Sequence, residues 1–213
     1  MRLINLDQQS SDWLEWRMGG IGGSDAAIVM GVNKRYDDKT LTRETLLRQK
    51  IIRRFGAVRK TDIGKSPAMM RGIEKEPLIR DEYNRRTGRN LQPACGIHSE
   101  LDWMRASFDG LAEDGLLVLE IKAPCKDDHE RALEGFVPTH YWPQVQHLLA
   151  VSAAPKLHYL SWSENRFFGD QHFAKVIVNP DRVYIERLID QESRFVEEIN
   201  RGREKMKNPK KRP

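Results

Sequence analysis

The tightest constraint on this chain is one stretch, Leu116-Leu117-Val118-Leu119-Glu120-Ile121-Lys122, entered through Asp114-Gly115. Asp-Gly is a favoured hairpin turn, and the apolar run that follows reads as a strand. Side chains alternate along a strand, so Glu120 and Lys122 share one face while Leu119 and Ile121 share the other. The turn also folds Ser107-Phe108-Asp109-Gly110 back toward the same end. Two carboxylates and one ammonium therefore converge where an apolar strand stops.

The rest of the pattern builds layers around that hairpin. Strand-like segments are predicted at Leu91 to His98, Trp103 to Phe108, Leu116 to Ile121, Lys156 to Trp162 and His172 to Val178. Helices are predicted after Ser11 or Asp12, after Ser24 as an N-cap, over Leu41 to Lys50, and from Ser66-Pro67 to Gly88, with Pro77 kinking or splitting the last. Further helices are expected near Asp127 to Leu133, over Thr139 to Ala153, and from Arg182 to Met206. The reading is an α/β (α+β) fold with a central mixed sheet of about five strands flanked by helices.

At 213 residues the chain suits one domain, 1–206, with a basic tail over 207–213. Its 36 Lys and Arg against 31 Asp and Glu give +5, a weak bias toward polyanions. A basic stretch, 51–65, is a candidate arm or loop. Cys95 and Cys125 have no partner spacing for a disulfide framework or a zinc site. No apolar run approaches a membrane span, and no leader pattern opens the chain, so it is expected in the cytoplasm and away from membranes.

Mg²⁺ takes hard oxygen ligands and is commonly held by one or two carboxylates plus substrate phosphate, which Asp109 and Glu120 could provide. Lys122 would orient or deprotonate an attacking water, or neutralise developing charge. An exposed Glu–Lys pair at a hairpin end gives the same spacing. Met69, Ile73, Glu76 and Tyr83 form one helical stripe, which puts a carboxylate on an apolar face. Arg17 and Ser24 flank a Gly-rich turn that opens a helix, where a phosphate could be held. Read locally, they are equally a surface base and an N-cap. The six histidines show no ligand spacing, and Trp142, Tyr159, Trp162, Phe167 and Phe168 read as core.

Five ordered motifs narrow the reading: Arg17-Met18-Gly19-Gly20-Ile21-Gly22-Gly23-Ser24-Asp25-Ala26, Arg71-Gly72-Ile73-Glu74-Lys75-Glu76-Pro77, Ser107-Phe108-Asp109-Gly110-Leu111, Leu119-Glu120-Ile121-Lys122-Ala123-Pro124 and Tyr141-Trp142-Pro143-Gln144-Val145-Gln146. Their order resembles the lambda exonuclease and YqaJ-like viral recombinase family of the PD-(D/E)xK nuclease superfamily. Phe108 departs from the proline usual before the first carboxylate.

The resemblance implies a restriction-endonuclease-like core and a Mg²⁺-dependent 5′-to-3′ exonuclease on linear double-stranded DNA, with Mn²⁺ as the alternative ion. It implies Asp109 and Glu120 as metal ligands, Lys122 as the catalytic lysine, and Glu76 and Gln144 as further site residues, Gln146 being the weaker alternative to Gln144. Arg17 and Ser24 match the family's 5′-phosphate-binding positions, and Met69 matches a duplex-end wedge. It further implies a homotrimeric ring, a single-strand annealing recombinase as partner, and a phage or prophage origin in a bacterial host. Two rivals stand beside it: an endonuclease of the same superfamily, and a non-catalytic DNA-binding nuclease fold.

Overall fold

The computed structural model describes residues 1–32, 42–53 and 67–207. Along them run β1 (Arg2–Ile4), α1 (Ser11–Met18), β2 (Ile21–Gly22), α2 (Gly23–Val29), α3 (Arg43–Arg53), α4 (Pro67–Thr87), β3 (Gln92–Ile97) and β4 (Met104–Leu111). Then follow β5 (Leu117–Lys122), α5 (Lys126–Leu133), α6 (Trp142–Ser152), β6 (Lys156–Trp162), β7 (Phe173–Val178) and α7 (Arg182–Lys207).

The hairpin forms as its turn chemistry requires. Gly115 takes a φ of +71°, which only glycine adopts without strain. Its N–H donates to the Ala112 carbonyl at 2.9 Å, and the Leu116 N–H donates to the Asp114 carboxylate at 2.9 Å. β4 and β5 are thereby antiparallel, while β5 and β6 run parallel and are joined through α5 and α6. The sheet order is β1-β3-β4-β5-β6-β7, with β2 parallel to β4.

Among the described residues seven strands replace the expected five. The two additions span three and two residues, too short to show an alternation. β2 exists because Gly20 lets the chain approach Trp103 closely: a Cβ there would meet the Trp103 carbonyl oxygen at 2.2 Å, and the Ile21 N–H donates to that oxygen at 2.7 Å. α4 also runs unbroken through Pro77, so of the expected kink or split the split does not occur. The proline removes one backbone hydrogen bond; burial of Ile79 and Tyr83 against the sheet holds the turns beyond it.

Helices cover both sheet faces. Phe108, Val118, Leu157 and Tyr159 pack with Val145, Leu148 and Leu149 of α6. Leu119, Ile121 and Leu160 pack instead with Ile79 and Tyr83 of α4. A third cluster joins Ile21, Val29, Leu46, Phe195 and Ile199, tying α2, α3 and α7 together. Burying one Leu or Phe side chain contributes about 1.5–3 kcal/mol, so these three clusters fix the helices that deliver the polar side chains described next. The 207–213 tail beyond Lys207, and the basic 51–65 stretch beyond Arg53, lie outside the described residues.

Candidate active site

Alternation along β4 breaks where Asp109 sits. Ala94 registers with Phe108 but Gln92 with Leu111, so three steps of β4 span two of β3. This bulge lets Phe108 and Leu111 face the same core cluster although they are an odd number of residues apart. On the other side, the β4–β5 register ends at Gly110 with Leu119. There the Ile121 N–H donates to Asp109 Oδ2 at 2.7 Å. Arg80 Nη1 donates to the Asp109 carbonyl at 2.8 Å, and Gln8 Nε2 donates to the carbonyls of Phe108 at 2.9 Å and Ala94 at 3.2 Å.

Around Asp109 the predicted residues come together from four elements. Glu120 lies on the α6 side of β5 and is 1% exposed. Its Oε1 accepts from Lys122 Nζ and, at 2.5 Å, from Gln144 Nε2 of α6. Among the described residues its Oε2 is buried without a hydrogen-bond partner. Glu76 arrives from α4, held by Arg80 one turn later at 3.3 Å. The stripe through Ile73, Glu76 and Tyr83 thus carries a cation as well.

Burial, and then the charge of Asp109, pushes Glu120 up to about 8 and Glu76 up to about 7. Burial also raises Asp109, against the pull of Lys122, the Ile121 N–H and Arg80. For Lys122 burial acts downward, but Glu120 and Asp109 together raise its pKa. Three crowded carboxylates and an orphaned carboxylate oxygen are what a bound cation relieves. Among the described residues no three His, Cys, Asp or Glu side chains form a metal cage of their own. The donor set therefore fits a hard ion that takes one or two carboxylates and completes its shell with water and phosphate.

Arg17 and Ser24 meet directly: Arg17 Nη2 donates to Ser24 Oγ, and the guanidinium lies 5.0 Å from the Trp13 ring centroid. Ser24 is not the N-cap expected of it. Gly22 holds that position, and Asp25 takes the capping role by accepting the Gly22 N–H at 3.0 Å. Ser24 lies inside the first turn, and its hydroxyl partners Arg17 instead. The turn that carries the pair packs against the helix that carries Gln144: a Cβ on Gly23 would stand 3.3 Å from the Gln144 Cγ.

Several side chains in and around this region take roles that the sequence reading does not give them. Lys50, 3% exposed, donates to the Gly20 carbonyl at 2.7 Å and pairs with Asp25 at 2.7 Å. Burial pushes Asp25 up, but Lys50 and Arg17 pull it below the usual carboxylate range. Gln146 is fully buried and braces Asn179 and Asp181, which leaves Gln144 as the glutamine of the cluster. His147 pairs with Glu192 at 2.8 Å, both fully buried. Phe167 is 66% exposed rather than core. The Met69 side chain lies outside the described residues.

A mixed sheet between α6 and α4, opening at the end of a hairpin onto buried carboxylates beside a lysine, defines a restriction-endonuclease-like α/β protein. Solved structures agree in fold. An alkaline exonuclease (LHK-Exo) from Laribacter hongkongensis matches with a TM-score of 0.78 at 24% identity, covering 94% of this chain and 97% of that one. The same protein in complex with dAMP gives 0.78 at 25% identity, covering 94% and 99%. A phage related exonuclease from Haemophilus somnus 129PT, 14% identical, gives 0.58 over 89% of this chain and 96% of that one.

In sequence, the uncharacterized protein YqaJ of Bacillus subtilis (strain 168) is 28% identical over 149 residues, 69% of this chain and 44% of that protein. The chain thus spans less than half the length of this curated relative. The sequence model of the YqaJ-like viral recombinase domain matches residues 12–155, and the chain belongs to that family. No helix among the described residues is long and apolar enough to cross a membrane.

Proposed function

We propose that this chain is a metal-dependent exonuclease that shortens linear double-stranded DNA from its 5′ ends and leaves 3′ single strands for annealing recombination. The observation that carries this reading is the convergence of Asp109, Glu120 and Lys122, with Glu120 Oε2 buried and unpartnered among the described residues. Family membership and the exonuclease relatives support it.

Asp109 and Glu120 would hold Mg²⁺ or Mn²⁺. When bound, such an ion supplies Lewis-acid polarisation of a phosphoryl oxygen and lowers the pKa of water. The chain's own groups do the rest. Gln144 fixes the Glu120 carboxylate. Lys122 orients the attacking water and neutralises charge developing on the phosphate. Glu76 adds negative charge at the margin of the cluster, restrained by Arg80.

Arg17 and Ser24 hold the terminal 5′-phosphate, the arginine by a charge-assisted fork and the serine by its hydroxyl. The dAMP found with LHK-Exo is a mononucleotide of the kind that stepwise hydrolysis would release. The resemblance extends to a homotrimeric ring around DNA and an annealing recombinase as partner. A stable monomer by light scattering removes the ring.

Duplex DNA carrying one label at its 5′ ends and another at its 3′ ends tests the polarity. The 5′ label is expected in mononucleotides from the earliest times while the 3′ label stays in long strands. Earlier release of the 3′ label overturns the 5′-to-3′ reading.

A further inference from the structure

The bulge in β4 does not hold itself open. A bulge re-aims a side chain and interrupts its ladder, which leaves local backbone groups in need of other partners. Here two side chains from distant parts of the chain supply them. Gln8, in the segment between β1 and α1, donates from one amide nitrogen to the carbonyls of Phe108 and Ala94. Arg80, in α4, donates to the carbonyl of Asp109 at 2.8 Å and to Glu76 Oε1 at 3.3 Å. Its neighbour Ile79 and Tyr83, one turn on, are 2% and 3% exposed in the sheet-facing cluster, so the helix that carries Arg80 is pinned.

We propose that Arg80 and Gln8 are positioning residues that grip the β4 bulge at the successive carbonyls of Asp109 and Phe108 and thereby set where the Asp109 carboxylate points. The inference rests on the nuclease reading of Asp109 and Glu120. Neither side chain is drawn into contact with substrate. They act through the main-chain oxygens of the two peptides that flank the Asp109 Cα, and Arg80 also keeps Glu76 beside the cluster. Arg80 is 9% exposed, and a single nitrogen, Nη1, at the far end of its side chain meets a carbonyl and a carboxylate together. A lysine ammonium keeps the charge but ends one bond short of that position.

The test is binding of Mn²⁺ alone, followed by electron paramagnetic resonance on wild type, Arg80→Lys and Gln8→Ala, together with kcat and KM on 5′-phosphorylated duplex. Groups that orient metal ligands typically change metal affinity by about ten- to a hundredfold, which is the loss expected for Arg80→Lys. For Gln8→Ala a smaller loss in the same direction is expected. In both, kcat falls while KM for DNA holds, since Arg17 and Ser24, the residues proposed to hold the DNA end, are left in place.

Mn²⁺ affinity within about twofold of wild type in both variants, whatever happens to their melting temperature, overturns the proposal and leaves the two side chains a purely structural role. Should Arg80→Lys fail to fold, Gln8→Ala decides alone, because it removes only an amide. Wild-type protein that neither binds Mn²⁺ nor degrades DNA overturns the nuclease reading itself, a different result from intact activity that ignores both substitutions.

Discussion

The Ile121 amide donates to Oδ2 of Asp109 at 2.7 Å, just past Gly110 and Leu119, the last registered pair of β4 and β5. A side-chain oxygen stands where a strand carbonyl would, so one residue both finishes the sheet edge and presents a carboxylate at its mouth. Asn can accept the same hydrogen bond through its amide oxygen while giving up the charge. Asp109→Asn should therefore lose activity by at least about 100-fold, since Lewis-acid stabilisation is worth several kcal/mol. Without metal its melting temperature should match or exceed that of wild type, because one of three mutually repelling carboxylates is gone. Full activity, or a large loss of stability, would contradict this.

The Arg17–Ser24 pair predicts a preference for phosphorylated ends. Arg17→Ala should bring the rates on 5′-phosphate and 5′-hydroxyl duplex ends together, chiefly by slowing the former. Arg17→Lys should recover part of the difference, since a point charge remains but the fork does not. Wild-type discrimination in Arg17→Ala, measured as the ratio of initial rates, would exclude the pair as the phosphate site.

How much of this was legible in the sequence follows from how local each signal is. The Asp114-Gly115 turn and the alternation of Leu119, Glu120, Ile121 and Lys122 lie within a few residues, and the structure keeps that hairpin and those faces. The grip on the bulge does not lie close by: Gln8 meets Phe108 across 100 residues, and nothing near Gln8 marks it. Arg80 was visible as the residue one turn after Glu76, but its link to Asp109 needs the sheet. Ser24 was misread because serine, aspartate and glycine are all good N-caps, and the choice among Gly22, Ser24 and Asp25 was made by Arg17 and Lys50, which lie outside the turn. The split at Pro77 does not occur because burial of Ile79 and Tyr83 holds the helix beyond it, packing that no local propensity rule carries.

Lys50 and Asp25 form a buried pair that ties α3 to the Gly-rich turn. Losing one partner of such a pair leaves an uncompensated charge, typically at a cost of about 3–5 kcal/mol. Lys50→Met should show a loss of that size in urea denaturation, and Lys50→Met with Asp25→Asn a smaller one. If the double variant is less stable than Lys50→Met, the pair does not account for the burial of Lys50.

His147 supplies a pH signature. Both ring nitrogens face oxygens, Glu192 Oε1 at 2.8 Å and the Arg105 carbonyl at 2.9 Å, a geometry that the imidazolium satisfies by donating to each. Burial acts against that charge, but Glu192 and the Arg105 carbonyl raise the pKa above its ordinary 6.5. A histidine raised in the folded state contributes stability that is complete below pH 6.5 and lost as pH climbs through the folded value. The stability gap between wild type and Glu192→Gln, from urea curves across that range, should be widest at low pH and shrink upward. A gap that widens with pH would contradict the assignment.

The most direct test is a nuclease assay on linear duplex bearing 5′-phosphates, beside a covalently closed circle of the same sequence. Each is incubated with Mg²⁺ or EDTA and with wild type or Lys122→Ala. The prediction is loss of the linear DNA alone, only with Mg²⁺ and only with wild type, while Lys122→Ala still binds DNA. Cleavage of the closed circle would make the protein an endonuclease, and binding without cleavage of either substrate would make it an inert nuclease fold.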